Sequence, residues 1–197
     1  MKTPFAFLGL SLLSLAASAQ TPSYNYLDIS YIDSEAEDVD GDGLGGELVA
    51  AFSDNGFFIG EYSTREFEDG GATVDIASLS LGIGVAGPIG DNEAVSGFAA
   101  ATYEDFEVDV DIPGFGSGSD SENGFGLQIG LRAMIAEQVE LHVRYKRIEI
   151  DDEDESLLRF GAVFGLSPGL GLTLDYETYD ESEIDELMVG VRLNFGL

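Results

Sequence analysis

The residues with the clearest capacity for chemistry are three aspartates in the segment 38–43, which reads DVDGDG. Carboxylates at alternate positions followed by glycine match the first half of a calcium-binding loop, where the side chains converge on the ion and glycine permits the bend. The bidentate glutamate expected at the twelfth position is missing, because Val49 stands there. We therefore predict weak calcium binding by Asp38, Asp40 and Asp42, with a solvated acidic loop as the alternative.

Few other residues could support catalysis or hold a cofactor. The chain has no cysteine and a single histidine, His142. The lack of cysteine excludes disulfides, thiol catalysis and thiolate metal sites. Any general base other than His142 would have to be a carboxylate, and no carboxylate is singled out by its surroundings in the sequence. We expect a hydrogen-bonding role for His142, no enzymatic activity, and no cofactor apart from weakly bound calcium.

The charge of the chain is strongly negative, although the chain is not poor in apolar residues. Its 197 residues include 38 acidic and 8 basic side chains, for a formal net charge of −30, while 44% of the residues are hydrophobic. A phosphate backbone would be repelled, which excludes nucleic acid as a partner. A disordered acidic tail would contain fewer apolar residues, so the two kinds of side chain must be segregated in a folded structure.

The first nineteen residues differ from the rest and predict a secretory signal peptide. Lys2 is a basic start, residues 5–15 are mostly apolar, and residues 17–19 (ASA) form a small-x-small cleavage pattern. An N-terminal anchor helix is the alternative, but the apolar run is shorter than the roughly 20 residues needed to span a bilayer. We expect cleavage after Ala19, which leaves residues 20–197 as one domain.

Alternation of apolar with small or polar residues dominates the rest of the chain. In residues 124–135 the odd positions are apolar, whereas the even positions are mostly glycine, glutamine or arginine. A period of two predicts β-strands with one apolar face. Ten runs of this kind occur, at about 24–33, 44–53, 57–66, 73–86, 94–106, 124–135, 139–146, 158–166, 170–176 and 187–197.

The connections between these runs differ alternately in length and charge. Every second connection is short and turn-like, whereas the others contain 30 of the 38 acidic residues. A soluble sandwich has no reason to concentrate its charge at one end. We predict an all-β fold, a transmembrane antiparallel β-barrel of ten strands (eight being the alternative), with tight periplasmic turns and acidic extracellular loops. The acidic segments are 33–42, 66–75, 104–122, 149–155 and 175–186.

The phase of the strands sorts side chains between the lipid face and the lumen. Aromatic residues fall in outward phase near both ends, as interfacial girdles require. Six cations and six anions fall in lumen phase, which predicts a salt-bridged core. A conducting path is the alternative. Any such path would be narrow, because ten strands are far fewer than the roughly 16 to 18 of open porins. The outward aromatics are Tyr31, Tyr62, Phe125, Tyr145, Phe160 and Tyr176 toward the loops, and Phe52, Phe58, Phe98 and Phe195 toward the turns. The lumen charges are Arg65, Arg132, Arg144, Lys146, Arg159 and Arg192 with Asp28, Glu47, Glu61, Glu140, Asp175 and Glu177.

Three segments carry a family resemblance: 23–27 (SYNYL), 123–132 (NGFGLQIGLR) and 189–195 (VGVRLNF). With the signal peptide, they resemble the small outer-membrane β-barrel (porin-like) proteins of Gram-negative bacteria, over essentially the whole mature chain. The resemblance implies export to the outer membrane, insertion by the barrel-assembly machinery, and contact with outer-membrane lipid and lipopolysaccharide. It names no extracellular partner. The chain departs from the family pattern by ending on Leu197 rather than on an aromatic residue.

We expect a structural or surface-interaction role, with a largely side-chain-filled lumen. A narrow porin-like channel for small solutes is the second hypothesis. The third is a rim protease like the omptins, a family of ten-stranded outer-membrane barrels that use paired acids and an Asp-x-His element. Residues 140–142 (ELH) mimic that spacing. However, they follow the tight turn at 136–138 and so belong at the periplasmic end, away from the acidic loops.

Overall fold

The computed structural model describes residues 21–36, 39–150 and 153–196, and ten β-strands account for most of these described residues. None of the described residues forms a helix of the length and hydropathy needed to cross a membrane. The predicted signal peptide lies outside the described residues. The strands are β1 (Asn25–Ala36), β2 (Val39–Ala51), β3 (Gly56–Asp69), β4 (Ala72–Ile89), β5 (Asn92–Ile112), β6 (Gly116–Ala136), β7 (Val139–Ile150), β8 (Glu153–Ser167), β9 (Leu170–Tyr179) and β10 (Ile184–Asn194).

The sheet is a closed barrel in which each strand pairs with its sequence neighbours and β1 pairs with β10. All pairings are antiparallel, and the closing pair runs from Tyr26 opposite Asn194 to Ala36 opposite Ile184. Closure leaves no free sheet edge around the middle of the wall, so backbone groups are paired there. The structure confirms the ten-stranded barrel and rules out the eight-stranded alternative.

The two ends of the barrel differ. One end, called here the turn end, holds both described termini and the connections 52–55, 90–91, 137–138 and 168–169. The opposite end, called here the acidic end, holds the described connections 70–71, 113–115 and 180–183. Between the two ends the predicted alternation is confirmed: Ile129 is 60% exposed on the outer face, whereas its neighbour Gln128 is 1% exposed in the lumen.

Phe98 is the exception, because the sequence placed it on the outer face and the structure places it inside. The ring packs against Tyr24 and Phe57, with centroid distances of 6.4 Å and 6.3 Å. Phe98 lies opposite Gly130 in the β5–β6 ladder. The reason it fits is that a Cβ on Gly130 would lie 2.5 Å from the Phe98 ring, so only glycine leaves room for the aromatic side chain.

The acidic segments are mostly strand rather than loop, which corrects the sequence-based expectation. In the segment 104–122, only residues 113–115 connect β5 to β6. Beyond Tyr103 the alternation continues with inverted polarity: Asp105 and the acids that follow point outward, whereas Phe106 and the valines that follow point inward. On β5 the wall therefore continues past the apolar band with acids outside and apolar side chains inside, as in a water-soluble barrel.

A ring of tyrosines marks the level at which the polarity inverts. Tyr31, Tyr62, Tyr103, Tyr145 and Tyr176 lie on five different strands, on the outer face toward the acidic end. The apolar ring of a tyrosine can be buried in lipid while its hydroxyl stays hydrated, which suits the boundary of a bilayer. Tyr103 joins the predicted girdle because Phe98 points inward, which gives the odd-numbered residues of β5 the outward phase.

Candidate functional site

The middle of the lumen is filled by a network of paired charges. Arg144 Nη1 lies 2.9 Å from Glu47 Oε2 and 2.6 Å from Glu61 Oε1. Lys146 Nζ lies 3.3 Å from Glu61 Oε2 and 2.9 Å from Glu104 Oε1. These side chains come from β2, β3, β5 and β7, so the ion pairs cross the lumen and join opposite walls of the barrel.

A second group of ion pairs lies nearer the turn end. Arg132 is bidentate to Glu140, with Nε–Oε1 2.8 Å and Nη2–Oε2 3.0 Å. Arg192 is bidentate to Asp28, at 2.8 Å and 2.6 Å, and also donates to Glu140 at 3.3 Å. The Arg192 guanidinium lies 3.8 Å from the ring centroid of Tyr26. Planar guanidinium forks suit such bidentate pairs better than an ammonium does.

A third group lies toward the acidic end and contains acids that the sequence did not assign to the lumen. Arg65 is bidentate to the buried Glu186 and donates to the Tyr179 hydroxyl at 2.8 Å. Glu104 and Glu186 belong to segments interpreted as acidic loops, so their lumen phase was missed. Glu104 shares the inward phase of Phe98 on β5, and β10 begins at Ile184, early enough to include Glu186. The six predicted cations and six predicted anions all lie in the lumen, and these two acids raise the described lumen carboxylates to eight.

His142 also belongs to this network. Its Nε2 lies 2.5 Å from Asp175 Oδ1, which confirms the predicted hydrogen-bonding role. Among the described residues, the buried side-chain atoms without a hydrogen-bond partner are His142 Nδ1 and the amide nitrogen and oxygen of Gln128. Every buried carboxylate and cation of the network has a partner. Such pairing is required, because an unpaired buried charge is strongly destabilising.

An aromatic plug closes the lumen at the turn end. It consists of Tyr24, Tyr26, Phe57 and Phe98. Tyr24 stacks on Phe57 at a centroid distance of 5.1 Å. The Arg132 guanidinium lies 4.7 Å from the Tyr24 ring centroid and donates to the Ser23 carbonyl at 2.6 Å, so the start of the described chain is held inside the barrel.

The space left between the charges is small. One cavity of about 110 Å³ runs along the lumen, lined by members of all three ion-pair groups. That volume accommodates several waters. It is well below the roughly 300–1,000 Å³ of typical small-molecule pockets. The lumen therefore has the properties of a polar core rather than of a ligand site or an open pore.

Comparison with known proteins agrees with this architecture. Residues 5–163 match the outer membrane protein beta-barrel domain family. The chain belongs to this family. The match confirms the family resemblance inferred from sequence and locates the protein in the outer membrane. No curated protein sequence matches the chain.

Several solved structures are similar to this outer-membrane barrel at low sequence identity. The translocator domain of the autotransporter NalP from Neisseria meningitidis is 13% identical, with 93% of each chain covered and a TM-score of 0.48. Ail, the attachment invasion locus protein of Yersinia pestis, in complex with the heparin analogue sucrose octasulfate, is 18% identical, with 86% of this chain and 97% of that chain covered and a TM-score of 0.47. Neisserial surface protein A is 13% identical, with coverage of 86% and 95% and a TM-score of 0.44.

The predicted calcium motif of this outer-membrane barrel is only partly described. Asp38 lies outside the described residues. Asp40 and Asp42 lie in β2, exposed on the outer face and opposite Glu35 and Asp33 of β1. Residues 39–43 are thus extended strand rather than the loop expected from sequence. Among the described residues, no group of three His, Cys, Asp or Glu side chains is placed to hold a metal ion. Calcium binding stays a prediction.

The residues that suggested a rim protease lie inside the outer-membrane barrel near the turn end. Glu140 is bound by Arg132 and Arg192, and His142 is paired with Asp175. Both side chains belong to the ion-pair network, so neither is presented at the acidic rim. The absence of enzymatic activity stays a prediction.

Proposed function

We propose that this outer-membrane barrel is closed to solutes and has a structural or surface-interaction role. The observation that carries the proposal is the filled lumen, in which an aromatic plug and three groups of ion pairs leave a cavity of about 110 Å³. Opening a path would require separating buried ion pairs, and a buried charge left without its partner is strongly destabilising. The closure therefore belongs to the resting structure of the protein.

The surface role is supported by the acidic section of the wall. Beyond the tyrosine ring, β5 continues for nine residues to Ile112 with acids on its outer face. An exposed, charged wall of this kind contributes nothing to a pore and presents itself to the exterior. We propose that the chain is exported through a cleaved signal peptide, is inserted by the barrel-assembly machinery, and meets lipid and lipopolysaccharide with its outer face.

A narrow channel is the second candidate, and one observation favours it. Eight described carboxylates face six cations in the lumen, so any water path along it would attract small cations. Flux through proteoliposomes separates the two functions. Vesicles containing the full-length barrel and a potassium-sensitive dye should respond to added potassium no faster than protein-free vesicles. Faster entry through the wild-type barrel would support the channel and contradict the closed role.

A further inference from the structure

The β5–β6 hairpin carries an unpaired strand edge at the acidic end. β6 pairs with β5 along its whole upper part, up to Gly116 opposite Ile112. On its other side, the pairing of β6 with β7 begins only at Gly124, opposite Ile150. Residues 116–123, here called the β6 edge, therefore have no described strand on one side. Eight residues at roughly 3.3 Å each give about 26 Å of strand edge. Along it the Ser121 N–H donates to Asp120 Oδ1 at 2.9 Å.

The tip of this hairpin is a hydrogen-bonded turn that presents an aromatic ring. The Phe115 N–H donates to the Ile112 carbonyl at 3.0 Å. Pro113 is the second residue of this turn, and Gly114, with φ of 86°, is the third. Proline followed by a positive-φ glycine defines a type II turn. The Phe115 side chain at its end is 91% exposed, and it is the most exposed of the large apolar residues in the described chain.

The side chains of the β6 edge determine what could pair with it. Asp120 and Glu122 share the inward phase of Gln128, whereas Ser119 and Ser121 face outward. A strand laid along this edge would place alternate side chains beside the two carboxylates. Like charges directly opposite each other in a sheet are destabilising, and opposite charges are stabilising. The edge is therefore protected against acidic strands, including a second copy of this chain, and open to basic strands.

We propose that the β6 edge docks an extended basic segment of a partner protein, which adds to the sheet as a further strand with Phe115 as an apolar anchor. The proposal rests on the surface-interaction role and specifies its site. Main-chain hydrogen bonds to an exposed edge supply affinity in this mode of recognition, and alternate side chains supply specificity. Asp120 and Glu122 select basic residues on the added strand.

The test uses synthetic octapeptides and the full-length barrel refolded in detergent. A labelled peptide of alternating lysine and valine should bind saturably by fluorescence anisotropy, whereas the alternating glutamate and valine peptide should not. The double variant Asp120→Lys, Glu122→Lys should bind the lysine peptide with roughly tenfold lower affinity, which is the loss expected for two exposed ion pairs. The matched control is Asp54→Lys with Asp91→Lys, which makes the same change in net charge at the turn end and should leave the affinity nearly unchanged.

Two outcomes would overturn the docking site. One is an equal loss in both double variants, which would mean diffuse attraction to an acidic protein. The other is equal binding of a lysine–valine peptide N-methylated at every amide, which would mean that no strand is added. Potassium flux through the same variants keeps the two proposals separable. A barrel that fails to bind peptide but stays closed contradicts only the docking site, and one that binds peptide but conducts contradicts only the closed role.

Discussion

Tyr24 stacks on Phe57 inside the barrel, with ring centroids 5.1 Å apart and ring planes inclined by 29°. Tyr24 precedes the first strand, so a residue from the start of the described chain closes the lumen that the ten strands enclose. The Tyr24 hydroxyl is within 3.1 Å of the Ser96 hydroxyl, which ties the plug to β5 as well as to β3. The strand pairing and the closure of the lumen thus form one packed unit.

The ion-pair network should contribute strongly to stability. Arg144→Met removes the buried guanidinium between Glu47 and Glu61 and should lower the free energy of unfolding by about 3–5 kcal/mol, because two buried carboxylates lose a partner. Arg147→Met is the matched control. Its side chain is exposed on the outer face and pairs with the exposed Asp154, so the loss should be at most about 1 kcal/mol. Urea unfolding in detergent gives both values, and equal losses would contradict the network's role.

The phase of β6 predicts different effects at two adjacent residues. Ile129→Arg places a charge on the lipid face at mid-strand and should cost about 2–4 kcal/mol. Gln128→Arg places the same charge among the carboxylates of the lumen, so it should disturb packing or conductance rather than insertion. Unfolding from lipid vesicles measures the first effect and bilayer recording the second. Equal destabilisation at both positions would contradict the assigned phase.

Acidification should stabilise the acidic end. The neighbouring Asp75 carboxylate raises the pKa of Glu66 above its ordinary value, and Glu68 and Asp42 add to the shift. A pKa raised by folding means that the folded state binds the proton more tightly, so stability should rise as pH falls from neutral toward about 4.3. Glu66, Asp75 and Asp42 belong to a row of five acids on five neighbouring strands, in which each acid lies opposite the next. The row is Asp33, Asp42, Glu66, Asp75 and Asp109.

Urea midpoints at pH 7 and pH 5 measure this effect. Wild type should gain stability at the lower pH, and Glu66→Gln should gain less, because it lacks the shifted group. Glu137→Gln, in an exposed turn at the opposite end, should behave as wild type. A gain of the same size in all three proteins would show that the row of acids does not set the pH dependence.

Calcium binding by Asp38, Asp40 and Asp42 is tested by titration of the folded barrel. Calcium should protect the β1–β2 connection from protease more than magnesium does at equal ionic strength, because calcium accepts flexible carboxylate cages and magnesium dehydrates reluctantly. Replacing the three aspartates by asparagine should abolish the difference between the ions. Identical curves for the two ions, or for wild type and the triple variant, would leave only diffuse attraction of cations.

Local alternation was enough to predict the number of strands and most of their phases. A period of two is a property of each strand's own sequence. Ile129 could therefore be assigned to the outer face and Gln128 to the lumen without knowledge of the neighbouring strands. Phe98 could not, because its inward position depends on Gly130 of the next strand. Glu104 and Glu186 were missed for another reason: a run dense in carboxylates resembles a solvated loop, whereas here the sheet continues and its polarity inverts.

Single-channel recording in planar bilayers tests most directly whether the lumen is closed. The wild-type barrel should show no steady openings. A variant with Tyr24→Ala, Phe57→Ala, Phe98→Ala and Arg144→Met, verified as folded by its heat-modifiable gel mobility, should show small cation-selective openings, because it lacks both the plug and the mid-lumen guanidinium and keeps the excess of lumen carboxylates. Steady openings of the same size in both proteins would contradict the closed barrel.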